Sequence, residues 1–319
     1  MQKIGERQRR VWLAAGASAV AAATLCGLNW LWVLVGGAIA CLYYLYIDMR
    51  LGTDSLADCI VDAFGFGGKV LCVLFLFWLI LVLGWCACLA DNAFPMVDGF
   101  PGLGWVLLVL TAWGCQKGAR ACAGCSGILF MLLTVLYGVV LVFAVPNVQV
   151  EYLKPTQDWK QAVAALGLLV LPCGAWCIGT REKKGKGTGL LLLAVASAGL
   201  AAVTAGVLSP ELAAARAVPI YDLAQSVSVF GVIERIEPLL SAAVTMGLFC
   251  LLTSLASAAQ ALADQVGTWK WSGSACCIAA GGAMYVARYL PRPLLIGGNL
   301  VFFLLLPAAA AAFSKKLKN

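Results

Sequence analysis

A chain of 319 residues that is 62% hydrophobic and 12% charged, with a mean hydropathy of +0.93, is too apolar for a soluble domain, which carries about twice that share of charge. Its net charge of +7 is informative through its distribution over loops, and implies no nucleic-acid partner. With no histidine, it lacks the ordinary neutral-pH proton switch, and the composition predicts an all-α integral membrane protein.

In chain order, the basic start M-Q-K-I-G-E-R-Q-R-R is followed by an apolar run from Val11 to Gly27. That run is slightly long for a signal peptide and is succeeded at once by more apolar segments, so it predicts a first spanning helix. Ten apolar segments can be drawn, at about 11–28, 30–47, 68–90, 102–116, 121–145, 159–179, 188–208, 234–262, 273–289 and 293–313. Only Leu28-Asn29 separates the first two, a compression that leaves the outer half of helix one in question. Ser55 to Phe66, with Asp58 and Asp62 four residues apart, predicts a surface helix leading into segment three. Pro95, Pro101, Pro146, Pro155, Pro210 and Pro219 fall between segments, where proline fits.

With the N-terminus in the cytosol, 16 of the 22 lysines and arginines lie on the inner side, the asymmetry expected when both termini are cytosolic. The loop R-E-K-K-G-K-G after segment six is the strongest inner anchor. The chain therefore reads as one polytopic membrane domain over 1–319, with a cytosolic N-terminus (1–10), a transmembrane bundle (11–313) and a cytosolic C-terminus (314–319). The fourteen cysteines lie mostly within apolar segments, where thiols behave as small hydrophobes. Cys122 and Cys125 form a C-x-x-C with no second pair, a weak metal signal, and neither a metal nor a cofactor is predicted.

Segment six, Trp159 to Gly179, carries Pro172 and Gly174 in its second half. Proline has no N–H and obstructs the carbonyl four residues earlier, so the spacing predicts an opened helix. Freed backbone groups at membrane depth are tolerated only against protein or a wet cavity. Two readings stand: a simple kink, or a ligand site built at a discontinuous helix, as in secondary transporters. If ten segments divide into two inverted halves of five, the sixth corresponds to the first, which carries Gly16-Ala17-Ser18 near its middle, small residues that permit close approach or unwinding.

After segment seven, Pro219 to Val229, with Tyr221 and Asp222, predicts a short amphipathic surface helix. Glu234, Arg235 and Glu237 then open segment eight, either as a capped helix start with a local ion pair or as an outer gate. Deeper in that segment Thr253, Ser257 and Gln260, with Asp264 beyond, form one polar stripe, read as helix-to-helix glue or as ligand contact. Thr134, Tyr137, Ser197, Thr204 and Asn299 are further interior polar candidates. No aspartate, glutamate, lysine or arginine lies near the centre of a span, which points to a neutral or zwitterionic ligand. No phosphate loop, nucleophile–base pair or metal cluster is present, so no enzyme is predicted.

Several stretches, A-W-G-C-Q-K-G-A-R-A-C-A-G-C-S (112–126), E-Y-L-K-P (151–155), R-E-K-K-G-K, V-P-I-Y-D-L-A-Q-S and I-E-R-I-E-P-L-L, resemble the spore germination receptor permease subunit family (GerAB-like), of the amino acid–polyamine–organocation superfamily. The resemblance covers about residues 11 to 313. It implies about ten transmembrane helices in a LeuT-like 5+5 inverted repeat, with helices one and six discontinuous. It also implies an amino acid or similar small germinant as ligand, and a location in the cell membrane (the inner membrane of the spore). The implied partners are a second membrane subunit and a lipoprotein subunit. Family-style placement puts the ligand at Gly16, Ala17 and Ser18 of helix one and at Pro172, Cys173, Gly174 and Trp176 of helix six, with Leu79, Thr245, Phe249 and Thr253 around it. The alternatives are a permease that transports its amino acid, and a ligand-free structural subunit.

Overall fold

A computed structural model of the chain describes residues 5–51, 54–92, 102–155, 157–178, 189–216, 218–226, 237–267 and 272–313. All regular structure among them is helical. Helix one comprises α1 (Glu6–Val20) and a π turn, Ala21–Leu25. It is followed by α2 (Trp30–Leu51), α3 (Leu56–Phe64), α4 (Phe66–Asp91), α5 (Leu103–Lys117) and α6 (Ala119–Ala144). Two 3-10 turns then lead to α7 (Lys160–Ile178), α8 (Gly189–Leu208), α9 (Pro210–Ala215) and α10 (Pro219–Ser226). The chain closes with α11 (Glu237–Val266), α12 (Ser272–Ala287) and a last helix built from α13 (Arg292–Leu300), a π turn at Val301–Leu305 and α14 (Leu306–Phe313).

Among the described residues, six helices are long and apolar enough to cross a membrane: Trp30–Leu51, Phe66–Asp91, Ala119–Asn147, Leu191–Leu208, Pro238–Val266 and Arg292–Phe313. This is a multi-pass, all-α membrane protein. α7 and α12 are shorter apolar helices. Helix one is not truncated: residues 6–25 would extend about 30 Å at 1.5 Å per residue.

The helices begin and end where backbone chemistry allows. Ser55 caps α3, its hydroxyl accepting from the Asp58 amide at 3.1 Å. Gly65, at φ 57°, turns the chain from α3 into α4 in a conformation that disfavours a side chain. Gly118, at φ 94°, does the same between α5 and α6. Asp91, at the end of α4, accepts from the Gly104 amide at 2.8 Å and pins the start of α5. Asp58 is also bound by Gln265 Nε2 at 2.7 Å, tying the surface helix α3 to the last turn of α11.

α11 is central, packing on α1, α4, α5, α6, α7 and α12. The seam between α1 and α11 is made of small residues. A Cβ added to Gly16 would stand 3.2 Å from Leu251 Cα, and one added to Gly247 would stand 2.8 Å from Ala19 Cβ. Without a hydrophobic force between helices in lipid, close approach of this kind supplies the attraction.

Candidate functional site

Helix six does not open. α7 runs from Lys160 to Ile178 with Pro172 inside it, so the expected discontinuity is corrected to a continuous helix that carries a proline. Neighbouring helices hold it on both sides of the proline. The Gly167 carbonyl, one turn before the proline, accepts from Asn299 Nδ2 at 2.9 Å. Asn299 Oδ1 in turn accepts from Trp78 Nε1 at 3.0 Å, which joins α4, α13 and α7 through one buried amide. Gly174 is closed off by side chains: a Cβ there would stand 2.1 Å from Phe303 Cδ1 and 2.7 Å from the Tyr44 hydroxyl. In place of a chamber, protein fills the space beside this residue.

Helix one does not unwind at Gly16-Ala17-Ser18 either; the run lies within α1, and Ser18 donates to the Ala15 carbonyl at 2.8 Å. The irregularity falls one turn later, in the π turn Ala21–Leu25, where Thr24 donates to the Val20 carbonyl at 2.6 Å. A second π turn, in the last helix, exposes carbonyls to donors from α2. Tyr43 donates to the Leu304 carbonyl and Tyr44 to the Phe303 carbonyl. Around them Phe75 packs on Phe302 and Phe303, and Trp78 stacks on Phe302 at 5.7 Å.

The remaining predicted site residues are dispersed. Leu79 and Cys173 are fully buried in the apolar core. Thr245 donates to the Ser241 carbonyl within its own helix, and Phe249 is half-buried against the core. Thr253 accepts from Trp12 Nε1 at 3.1 Å and donates to the Cys250 carbonyl, so it fastens α11 to α1. Tyr221 is buried in α10, and Asp222 meets exposed Arg216 at 3.6 Å. Trp176 lies in α7 and Glu237 starts α11, with their side chains outside the described residues; Glu234 and Arg235 lie wholly outside them. The outer-gate reading has no described geometry to meet.

Two cavities are lined by described residues. One, of about 300 Å³, lies at the end of the bundle far from the N-terminus, and its lining includes Thr24, Trp85, Asn92, Leu168, Arg288 and Arg292. It joins helix one, α4, α7 and the α12–α13 turn. Leu168 is the residue whose carbonyl Pro172 deprives of an i+4 amide partner, and it is one of the two residues of α7 that line this cavity. The second, of about 420 Å³, lies among α1, α6 and α8. Of the predicted ligand residues, only Ser18 lines either cavity. Sequence reading missed Leu168, Arg288 and Arg292 as a group; the two arginines four residues apart around Pro291 were the available signal.

Among the described residues no three histidine, cysteine, aspartate or glutamate side chains come together as a metal site, and none of the fourteen cysteines is in a disulfide. The chain matches no protein-family model and no curated protein.

Proposed function

We propose that this chain is a solute-sensing membrane subunit with a transporter-like arrangement of about ten helices, binding an amino acid or similarly small zwitterion in the cavity bounded by Leu168, Arg288 and Arg292. The observation that carries the reading is the chemistry of that cavity. Arg288 and Arg292 line it, and two guanidinium groups suit a carboxylate.

The two-half arrangement is supported by which helices pack together. Exchange of helices one to five with six to ten maps the contacts α2–α8, α4–α11 and α5–α12 onto themselves. It also relates α1–α6 to α7–α13, and α4–α5 to α11–α12. The inverted repeat predicts this pattern, and the resemblance to germination receptor permease subunits adds a second membrane subunit and a lipoprotein as partners. Binding would favour one conformation over another, and the partners would read the difference.

A ligand-free structural subunit is the second reading, favoured by the side chains that fill the space beside Gly174. Proteoliposomes incubated with a radiolabelled amino acid panel separate the cases. Saturable binding without accumulation supports the sensor, accumulation supports a permease, and neither supports the structural subunit.

A further inference from the structure

The cavity assigned to the solute is polar at one end and apolar at the other. Its charged and amide groups belong to helix ends: Asn92 closes α4, Arg288 follows α12 and Arg292 opens α13, and all three are exposed. Its apolar groups lie one to two turns further into the bundle. Leu168 is two turns into α7 and Leu295 is in the first turn of α13, and both are buried. Ile296 stands level with them, since a Cβ added to Gly167 would meet its Cγ2 at 2.8 Å. From Asn92 down α4 to Trp85, also on the wall, is about 10 Å at 1.5 Å per residue.

Below this mouth the polar hydrogens of the wall are already engaged. Thr24 donates to the Val20 carbonyl at 2.6 Å, and the Cys88 thiol donates to the Met284 carbonyl at 3.4 Å. A ligand therefore meets charge and hydrogen-bond donors at the mouth and hydrocarbon at the floor, the usual division of a small-molecule site between orienting groups and apolar walls. The volume, about 300 Å³, equals that of about ten waters in the liquid, more than glycine or alanine fills.

We propose that this site selects amino acids with large apolar side chains, of the leucine and phenylalanine class, and binds them side chain first. The inference rests on the solute reading of the same cavity. The carboxylate stays at the mouth with Arg288 and Arg292, and the side chain descends towards Trp85, Leu168 and Leu295. Small amino acids leave the floor unfilled, and acidic or basic ones carry a second charge down to apolar walls, which is costly.

The test is isothermal titration of the purified full chain in detergent with leucine, phenylalanine, alanine and glutamate. Leucine or phenylalanine is expected to bind at least about tenfold more tightly than alanine, since even one methylene in an apolar pocket discriminates by about that factor. Glutamate is expected to bind more weakly than either. Leu168→Phe, which shortens the floor, reverses the order of leucine and alanine, and a gain for alanine cannot come from misfolding. The ranking in the parent chain decides alone if that variant does not fold. Alanine or glutamate binding as tightly as leucine and phenylalanine, or a leucine preference unchanged in folded Leu168→Phe, overturns the selection and leaves the solute reading in place. Binding by none of the four also overturns the selection, and the solute reading falls with it only if the wider amino acid panel is equally silent.

Discussion

Asn299 donates to the Gly167 carbonyl at 2.9 Å, across 132 residues of sequence, and this single amide joins the proline-bearing helix to the last helix of the bundle. With Trp78 as its second partner, at 3.0 Å, it holds three helices at one buried point. The bond uses the carbonyl that precedes that of Leu168, the group Pro172 leaves without its helical donor.

Removing this amide strands two groups. Asn299→Leu leaves the Trp78 N–H and an outer lone pair of the Gly167 carbonyl without a partner, at a cost of about 1–3 kcal/mol. Asn299→Asp keeps an acceptor for Trp78 and loses the donor to Gly167, so it is also destabilising. Both effects are read as a lowered melting point in detergent, with Asn299→Gln intermediate.

Gly174 offers a steric test. Gly174→Ala places a methyl group against the Phe303 ring and the Tyr44 hydroxyl and is expected to cost about 1–3 kcal/mol by overpacking. Phe303→Leu in the same chain recovers part of that loss, because the two changes act on one contact. Independent, additive effects on melting would show that the contact is not made.

Trp12 and Thr253 fasten helix one to α11. Trp12→Phe removes an N–H that is shared between the Cys250 carbonyl at 2.9 Å and the Thr253 hydroxyl at 3.1 Å, and Thr253→Val removes one acceptor. Membrane hydrogen bonds of this kind contribute about 0.6–2 kcal/mol each. The double variant is expected to lose less than the sum of the two single losses, measured as a thermodynamic cycle on unfolding in mixed micelles.

Much of the fold was legible in the sequence. The ten apolar segments coincide closely with helices; segment six, drawn at 159–179, is α7 at Lys160–Ile178, and segment four, drawn at 102–116, is α5 at Leu103–Lys117. Apolar runs bounded by proline, glycine and charge carry that information locally. The surface helix with Asp58 was legible for the same reason. The fate of Pro172 was not, because it depends on Asn299, Phe303 and Tyr44, which reach α7 from helices far away in sequence. Likewise, neither Ala21–Leu25 nor Val301–Leu305 contains a residue that marks a widened turn; the donors from Tyr43 and Tyr44 become evident only when α2 lies against the last helix. Thr253 was recognised as interior, and of the two roles open to it the geometry supplies helix fastening.

The most direct test of solute binding at Leu168, Arg288 and Arg292 is the melting point of the purified chain across a panel of amino acids, each titrated to millimolar concentration. A ligand that binds the folded state alone stabilises it in proportion to the logarithm of its concentration, by about 2.7 kcal/mol at one hundred times Kd. The account predicts a saturable rise for at least one amino acid that is lost in R288Q combined with R292Q. A melting point unmoved by every member of the panel, or a rise that survives the double arginine variant, would contradict it.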